Sequence, residues 1–188
     1  MLLGENSLAQ EFSEADIRQP MRPNGVSDPK DKDYLSLVSG KFADYRLEIV
    51  GLVHKPLSLS LADLRSMPQR TQITRHDCVE GWSCIAKWTG TPVAKVLDVA
   101  GVKDSARYLL IECYDTIEQS LSGSIKYYES IDLADARHPQ TILAWGMNGA
   151  DLPVANGAPV RMRVECQLGY KQAKFIRKIT LVDDFAPF

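Results

Sequence analysis

A cysteine in the first half of the chain has neighbours that can tune a thiol. Cys78 follows Arg75 and His76 and lies between Asp77 and Glu80. Nearby positive charge favours the thiolate, which is both a nucleophile and a metal ligand, whereas the acidic neighbours oppose it. A short β-like run precedes this segment, so we predict that Cys78 lies where a strand ends and a loop begins, a common location for reactive groups. The alternative is a small buried side chain without chemistry.

A second set of candidate residues lies nearer the C-terminus. Val160 and Met162 alternate with Arg161 and Arg163. This alternation predicts a strand whose apolar face packs on a core and whose arginines lie on the opposite face. A solvated face is one interpretation of the arginines. A basic loop, 167–174, then precedes the last predicted strand.

The elements that must position these residues follow from periodicity. Alternation of polar and apolar residues predicts a half-buried strand over 45–52. Ser60 and Asp63 resemble a capping box that opens a short helix, which Pro68 ends.

A further helix follows the cysteine segment. Apolar residues at helical spacing predict a core-packed helix that begins after Thr91, at the N-cap, and Pro92, and that stops at Gly101. The further predicted elements are strands over 107–113 and 141–145 and a hairpin turn at Asn148-Gly149.

The first part of the chain differs from the rest. Pro, Asp, Asn and Gly recur there without a helical or strand period, so we expect 1–44 to form an irregular arm. We expect 45–188 to form one domain, since no internal repeat or linker is visible. Within it, roughly ten short strands and three short helices are predicted. The predicted fold class is α+β, mixed and mostly β.

Composition restricts the class of function. Of the 188 residues, 45% are hydrophobic and 24% charged, as in a globular domain. A formal net charge of -2 gives no electrostatic footprint for nucleic acid. No apolar run approaches the ~20 residues needed to cross a bilayer, so the chain is not expected to span a membrane itself. The four cysteines match no common zinc-binding spacing, which makes a structural zinc site the less favoured alternative.

The segment RHDCVEGWSCIAKWTG, over 75–90, resembles the cysteine loop of the sulfite oxidase-type molybdopterin-dependent oxidoreductases. It is most similar to the branch that contains the periplasmic methionine-sulfoxide reductase catalytic subunit, in which a Cys-Val-Glu-x-Trp-Ser run supplies the sulfur bound to molybdenum. The resemblance implies that Cys78 is the metal ligand and the catalytic residue. A soft thiolate suits a metal already bound by the dithiolene sulfurs of molybdopterin.

Other motifs extend the resemblance to the pocket of the cofactor. In the family, three groups of residues surround the pterin. They are a residue of the arm, an Asn or His with an Arg that bind the pterin phosphate, and a Gly-aromatic-Lys run. Where the reductase branch has a Thr, this chain has Cys113. The residues that the resemblance assigns to cofactor binding are Asn24, Cys78, Cys113, Asn156, Arg161, Lys174 and, through backbone amides, Gln172 and Ala173.

The resemblance also implies a reaction, two-electron oxygen-atom transfer at molybdenum. The loop lacks the Cys-Ala-Gly-Asn run of true sulfite oxidases, which favours reduction of a small S-oxide or N-oxide over oxidation of sulfite. No haem-attachment motif is visible, so we expect a separate electron-transfer partner, often a membrane haem b protein in the family. Relatives are commonly exported, which favours the periplasm, whereas the lack of a visible signal peptide favours the cytoplasm.

Two other functions stay open at this stage. One is a molybdopterin-binding module without turnover. The other is a cofactor-free thiol enzyme in which Cys78 works with His76 or His138. This second alternative needs a thiol of low pKa beside a base.

Overall fold

The computed structural model describes residues 7–120 and 123–185. Within these ranges the chain forms ten strands and four α-helices, with short 3-10 turns between them. The strands are β1 (Leu47–Gly51), β2 (Leu57–Leu59), β3 (Arg70–Cys78), β4 (Trp82–Pro92), β5 (Tyr108–Ser120), β6 (Gly123–Asp132), β7 (Ile142–Met147), β8 (Ala150–Asp151), β9 (Arg161–Arg163) and β10 (Ile176–Val182). The helices are α1 (Lys32–Ser39), α2 (Leu61–Ser66), α3 (Val93–Ala100) and α4 (Leu133–Arg137).

The strands form two sheets. The first has the order β2-β1-β10-β5-β6, and the second has the order β3-β4-β7-β8 with β9 paired to β7. β1 and β10 run parallel, whereas the other neighbours in these sheets are antiparallel. The predicted α+β class, mixed and mostly β, is confirmed.

The main core forms where α3 packs on the strands. Val93, Val96, Leu97 and Ala100 of α3 are buried, and they share one apolar cluster with side chains from β1, β5 and β10. Burying a Val or Leu side chain contributes about 1.5–3 kcal/mol. The helix ends at Gly101, whose φ of 66° lies in the left-handed region that glycine adopts without steric cost. The predicted helix is therefore held by its apolar face.

Two local predictions are confirmed atom by atom. The Ser60 hydroxyl accepts a hydrogen bond from the Asp63 amide at 3.1 Å, and the Asp63 carboxylate accepts one from the Ser60 amide at 2.8 Å. This is the capping box at the start of α2. Asn148 and Gly149 both have positive φ, 52° and 84°, as the tight turn between β7 and β8 requires.

Three elements differ from the sequence prediction. The chain does not pass from the cysteine loop directly to a helix, because β4 lies between them and pairs with β3 over 82–90. The prediction of an irregular arm over 1–44 is wrong for the segment that forms α1. Thr91 is not the N-cap of α3, since Pro92 occupies that position and the Thr91 hydroxyl donates to the Leu64 carbonyl at 2.7 Å instead.

The N-terminal arm runs along the second sheet toward the end of β3. The Phe12 amide donates to the Ile73 carbonyl at 2.8 Å, and the Arg18 amide donates to the Ile85 carbonyl at 3.0 Å. Further along, the Arg22 guanidinium lies 4.8 Å from the centre of the Trp82 ring. The arm therefore reaches the loop that carries Cys78.

Candidate functional site

The β3–β4 hairpin places Cys78 at the mouth of a cavity. Cys78 is the last residue of β3 and pairs with Trp82, the first residue of β4. The turn contains Gly81 with a φ of 82°, and the Trp82 indole N–H donates to the Glu80 carboxylate at 2.9 Å. The partly exposed thiol thus lies where a strand ends and a loop begins, as predicted.

A cavity of about 310 Å³ lies beside this thiol. Its wall combines segments that are far apart in sequence: the arm, the cysteine loop, β5, β6 and the loop before β10. Of the residues that the sequence assigned to the site, it brings together Asn24, Cys78, Gln172, Ala173 and Lys174.

Arg161 and Asn156 lie behind this wall. The Arg161 side chain is fully buried; it donates to the Asn156 carbonyl at 2.9 Å and to the Asn24 side-chain oxygen at 3.4 Å. Asn156 is also buried, and its side-chain amide donates to the Met21 carbonyl at 3.5 Å. The arm and the strand β9 are thereby joined through one guanidinium.

Lys174 completes a buried cationic cluster. Its ammonium donates to the carbonyl of Asn24 at 2.5 Å and to that of Val26. Burial, and then the charge of Arg161, lowers the pKa of Lys174 to about 7. Burial, and then Arg163, lowers the pKa of Arg161 to about 9.

Among the described residues these cations have no ion-paired carboxylate, although the charge of Asp115 acts on Lys174 and that of Glu165 acts on Arg161. In the described part of the chain neither Lys174 nor Arg161 forms a salt bridge, and Arg161 Nε is buried without a hydrogen-bond partner. A buried charge is stable when it is paired and hydrogen-bonded. An anion such as a phosphate, which Arg and Lys bind well, meets this need. The cluster therefore fits a phosphorylated cofactor.

Arg163 has a different partner, and the interpretation of a solvated arginine face is wrong. Arg163 is fully buried and forms a salt bridge with Glu165 at 2.7 Å. It also donates to His76 Nδ1 at 2.9 Å. The guanidinium carbon atoms of Arg161 and Arg163 lie 5.0 and 4.4 Å from the centre of the Trp88 ring. The second sheet thus supplies a buried surface for both arginines, which alternation alone cannot distinguish from a solvated one.

His76 is a neutral, buried side chain. Burial, and then the charge of Arg163, lowers its pKa to about 2. Because Arg163 can only donate, Nδ1 accepts and the proton of the ring lies on Nε2. A histidine with this pKa is a poor base, which disfavours a thiol enzyme that uses Cys78 with His76. His138 accepts a hydrogen bond from the Gln140 amide at 3.2 Å and contacts the Ser7 carbonyl in the arm.

Cys113, which the resemblance assigns to cofactor binding, is not among the residues that line the cavity. It is fully buried in the core and pairs with Ile176 in the first sheet. Burial, and then the charge of Asp115, raises the pKa of its thiol well above the usual range. Asp115 and Thr116, two and three positions further along β5, line the cavity instead. A cofactor contact of Cys113 stays a prediction.

Several cavity residues were not assigned from the sequence. Asp115, Thr116 and Gly169 line the wall. Tyr127 lines the wall as well, and its hydroxyl donates to the Tyr170 carbonyl at 2.8 Å. The pairing of β5 with β6 is irregular between Glu112 and Thr116, where Asp115 lies, and the strand pattern gave no signal of this irregularity.

The described residues contain neither a side-chain cluster for a metal ion nor a disulfide. Over 7–120 and 123–185, no group of three or more His, Cys, Asp and Glu side chains could hold a metal ion. All four cysteines are free thiols. None of the helices in these ranges has the length and apolar character to cross a membrane.

The fold and the site define a class, a mixed and mostly β domain that holds an anionic cofactor beside a cysteine thiol. A family model described as the oxidoreductase molybdopterin binding domain matches residues 35–187. The chain belongs to this family, and its cofactor is molybdenum carried by molybdopterin. The resemblance to sulfite oxidase-type oxidoreductases is confirmed.

Two relatives place the chain within this superfamily. It is 35% identical over 187 residues to the Putative protein-methionine-sulfoxide reductase subunit YedZ1 of Azospira oryzae, and the alignment covers 98% of this chain and 64% of the relative. The structure of the sulfane dehydrogenase SoxCD from Paracoccus pantotrophus matches with a TM-score of 0.67 and 26% identity, over 77% of this chain and 40% of that one. The chain thus spans less than two thirds of the length of either relative.

Proposed function

We propose that this chain is a catalytic domain that reduces S-oxides, or N-oxides, by oxygen-atom transfer. One observation carries the proposal: the Cys78 thiol and the buried cationic cluster line or adjoin the same cavity. Such a cavity suits a cofactor with a metal at one end and a phosphate at the other. The name of the relative from Azospira oryzae supports an S-oxide as the substrate.

Different residues of the chain bind different parts of this cofactor. The Cys78 thiolate binds the metal, as soft ligands do. Arg161 and Lys174 bind the phosphate, and the backbone amides of Gln172 and Ala173 donate to the pterin or its phosphate. Asn24 and Asn156 hold the arm against Arg161. When bound, molybdenum supplies the two-electron oxygen-atom transfer, and the protein orients the substrate.

The rim of the cavity selects the substrate. Val79 and Tyr170 line it and are 63% and 46% exposed. Exposed apolar side chains at a pocket mouth favour ligands with apolar substituents. A sulfoxide with alkyl groups offers such substituents next to its polar oxygen, whereas the sulfite anion offers none. The rim therefore supports S-oxide reduction over sulfite oxidation.

Electrons come from a separate partner. The relative from Azospira oryzae is named as a subunit, and a membrane haem b protein is the partner that the family resemblance implies. Because relatives are commonly exported, the family resemblance favours the periplasm as the location of this chain. The partner and the location are parts of the proposal, together with the substrate.

The test is turnover by protein produced in a molybdenum-replete host. With reduced benzyl viologen as the donor, we expect reduction of methionine sulfoxide, dimethyl sulfoxide or trimethylamine N-oxide, and no comparable oxidation of sulfite with ferricyanide. Loaded protein that turns over none of these oxides would instead be a binding module without turnover. Faster oxidation of sulfite than reduction of any oxide would reverse the proposed direction.

A further inference from the structure

A buried carboxyl group shares the cavity with the thiol. Asp115 lies in β5, in a part of the strand where the pairing with β6 is irregular between Glu112 and Thr116. It lines the cavity together with Cys78, and only 6% of its surface is exposed. Its Oδ1 atom is buried and has no hydrogen-bond partner in the described part of the chain.

A buried carboxylate oxygen without a partner is costly, so such a group is neutral or meets a ligand. No salt bridge in the described ranges involves Asp115, unlike Glu112 on the same strand, which pairs with Lys178 at 2.6 Å. The proposed binding of the cofactor assigns it no contact. The carboxyl group shares the cavity with the Cys78 thiol and interacts with the charge of Lys174, so its unpartnered oxygen requires a separate explanation.

We propose that Asp115 is a proton donor in the reduction of the S-oxide, an inference that rests on the proposed function. The sulfur–oxygen bond breaks, the sulfur gains two electrons from the external reductant through the cofactor, and the oxygen leaves as water with two protons. Asp115 donates one of these protons to the departing oxygen, and solvent supplies the second. Water in the open cavity then returns a proton to the carboxylate.

The surroundings of Asp115 tune it for this role. Burial raises its pKa to about 6, while Lys174 and Lys126 act in the opposite direction. The other titratable groups that interact with it are Tyr34 of α1, Tyr127 of β6 and Cys113 of β5. A general acid is most effective when its pKa lies near the working pH.

The sign of the pH dependence follows. The carboxyl group can donate only while it is protonated, below a pH of about 6. The rate of oxygen removal by pre-reduced enzyme should therefore fall as the pH rises through this value. Without the carboxyl group this fall should disappear.

The experiment compares three variants of the molybdenum-loaded protein. Asp115→Asn should keep the wild-type content of molybdenum and pterin, lose about 10²-fold in single-turnover rate and lose the fall with pH. Asp115→Glu, which keeps a carboxyl group, should recover part of the rate. Its rate should again fall as the pH rises, but at a different pH from wild type. Glu112→Gln, on the same strand but outside the cavity, should behave as wild type.

Three results would overturn the inference. The first is an Asp115→Asn enzyme with the wild-type pH profile. The second is an Asp115→Asn protein that has lost its pterin, because Asp115 would then hold the cofactor. The third is an Asp115→Glu enzyme whose rate depends on pH as in wild type. This result decides the question if the Asp115→Asn substitution prevents folding. A loaded wild-type enzyme that reduces no oxide contradicts the proposed function itself, which separates the two failures.

Discussion

At the scale of residues, the site combines one thiol with several buried cations. Cys78 is partly exposed at the end of β3, whereas Arg161 and Lys174 are buried and form no salt bridge in the described part of the chain. Without an anion these cations destabilise the fold, because burial disfavours their charged forms. Under the proposed function the same cations bind an anionic cofactor. We then expect stability and cofactor binding to depend on them with opposite signs.

Lys174→Met tests this opposition. The pKa of Lys174 falls from 10.5 in the unfolded chain to about 7 in the fold, so the unfolded chain binds more protons between these values. The free energy of unfolding of the cofactor-free protein should then rise with pH from about 7 upward. In Lys174→Met this rise should be reduced, and cofactor affinity should fall about tenfold or more through loss of a charge-assisted contact.

Two measurements check it. Urea unfolding of the cofactor-free proteins at several pH values gives the stabilities, and retention of pterin during dialysis gives the relative affinity. Lys178→Met, which removes a partly exposed lysine of β10 outside the cavity, is the matched control. If the free energy of unfolding depended on pH equally in wild type and Lys174→Met, the lowered pKa of Lys174 would be contradicted.

At the scale of elements, the end of β3 and the loop before β10 must approach closely. Gly169, in the 3-10 turn Gly169–Lys171, lies against His76. A Cβ atom at this position would lie 2.6 Å from His76 Cε1 and 3.1 Å from the Asp77 carbonyl oxygen. The glycine thus permits the contact that sets the cysteine loop beside the loop of Gln172 and Lys174.

Gly169→Ala should therefore separate the two elements. Such overpacking costs about 1–3 kcal/mol, and the displacement should also lower the pterin content of purified protein. Gly40→Ala is the control, since a Cβ atom there would meet only ordinary contacts at 3.5 Å and beyond. Thermal unfolding and pterin fluorescence measure both effects. A Gly169→Ala protein with wild-type stability and pterin content would contradict this account of the contact.

At the scale of the whole molecule, local signals in the sequence were sufficient for some of the fold. The Ser60 capping box and the Asn148-Gly149 turn depend on residues a few positions apart, so their patterns predicted them. The position of Cys78 at a strand end was predicted for the same reason. The long strand β4 was missed although its buried residues, Cys84, Ala86 and Trp88, alternate along it, because the resemblance had assigned 75–90 to the cysteine loop.

The remainder of the site depends on contacts between distant segments. Arg161 and Arg163 alternate with apolar residues, as on a solvated face, and only their packing against Trp88 and the arm shows that they are buried. Asp115 enters the cavity through the irregular pairing of β5, which no local pattern records. The resemblance to a family supplied the residue set, and tertiary packing decided which of its members share the cavity.

The central claim is that Cys78 binds molybdenum in a cofactor held by the cationic cluster. X-ray absorption at the molybdenum edge, on purified protein from a molybdenum-replete host, tests it most directly when wild type, Cys78→Ser and Cys166→Ser are compared. Cys166 is an exposed thiol outside the cavity and provides the control. We expect wild type and Cys166→Ser to have the same sulfur coordination, and Cys78→Ser to keep its pterin but lose one sulfur ligand. Unchanged sulfur coordination in Cys78→Ser, or folded wild-type protein with neither molybdenum nor pterin, would contradict the claim.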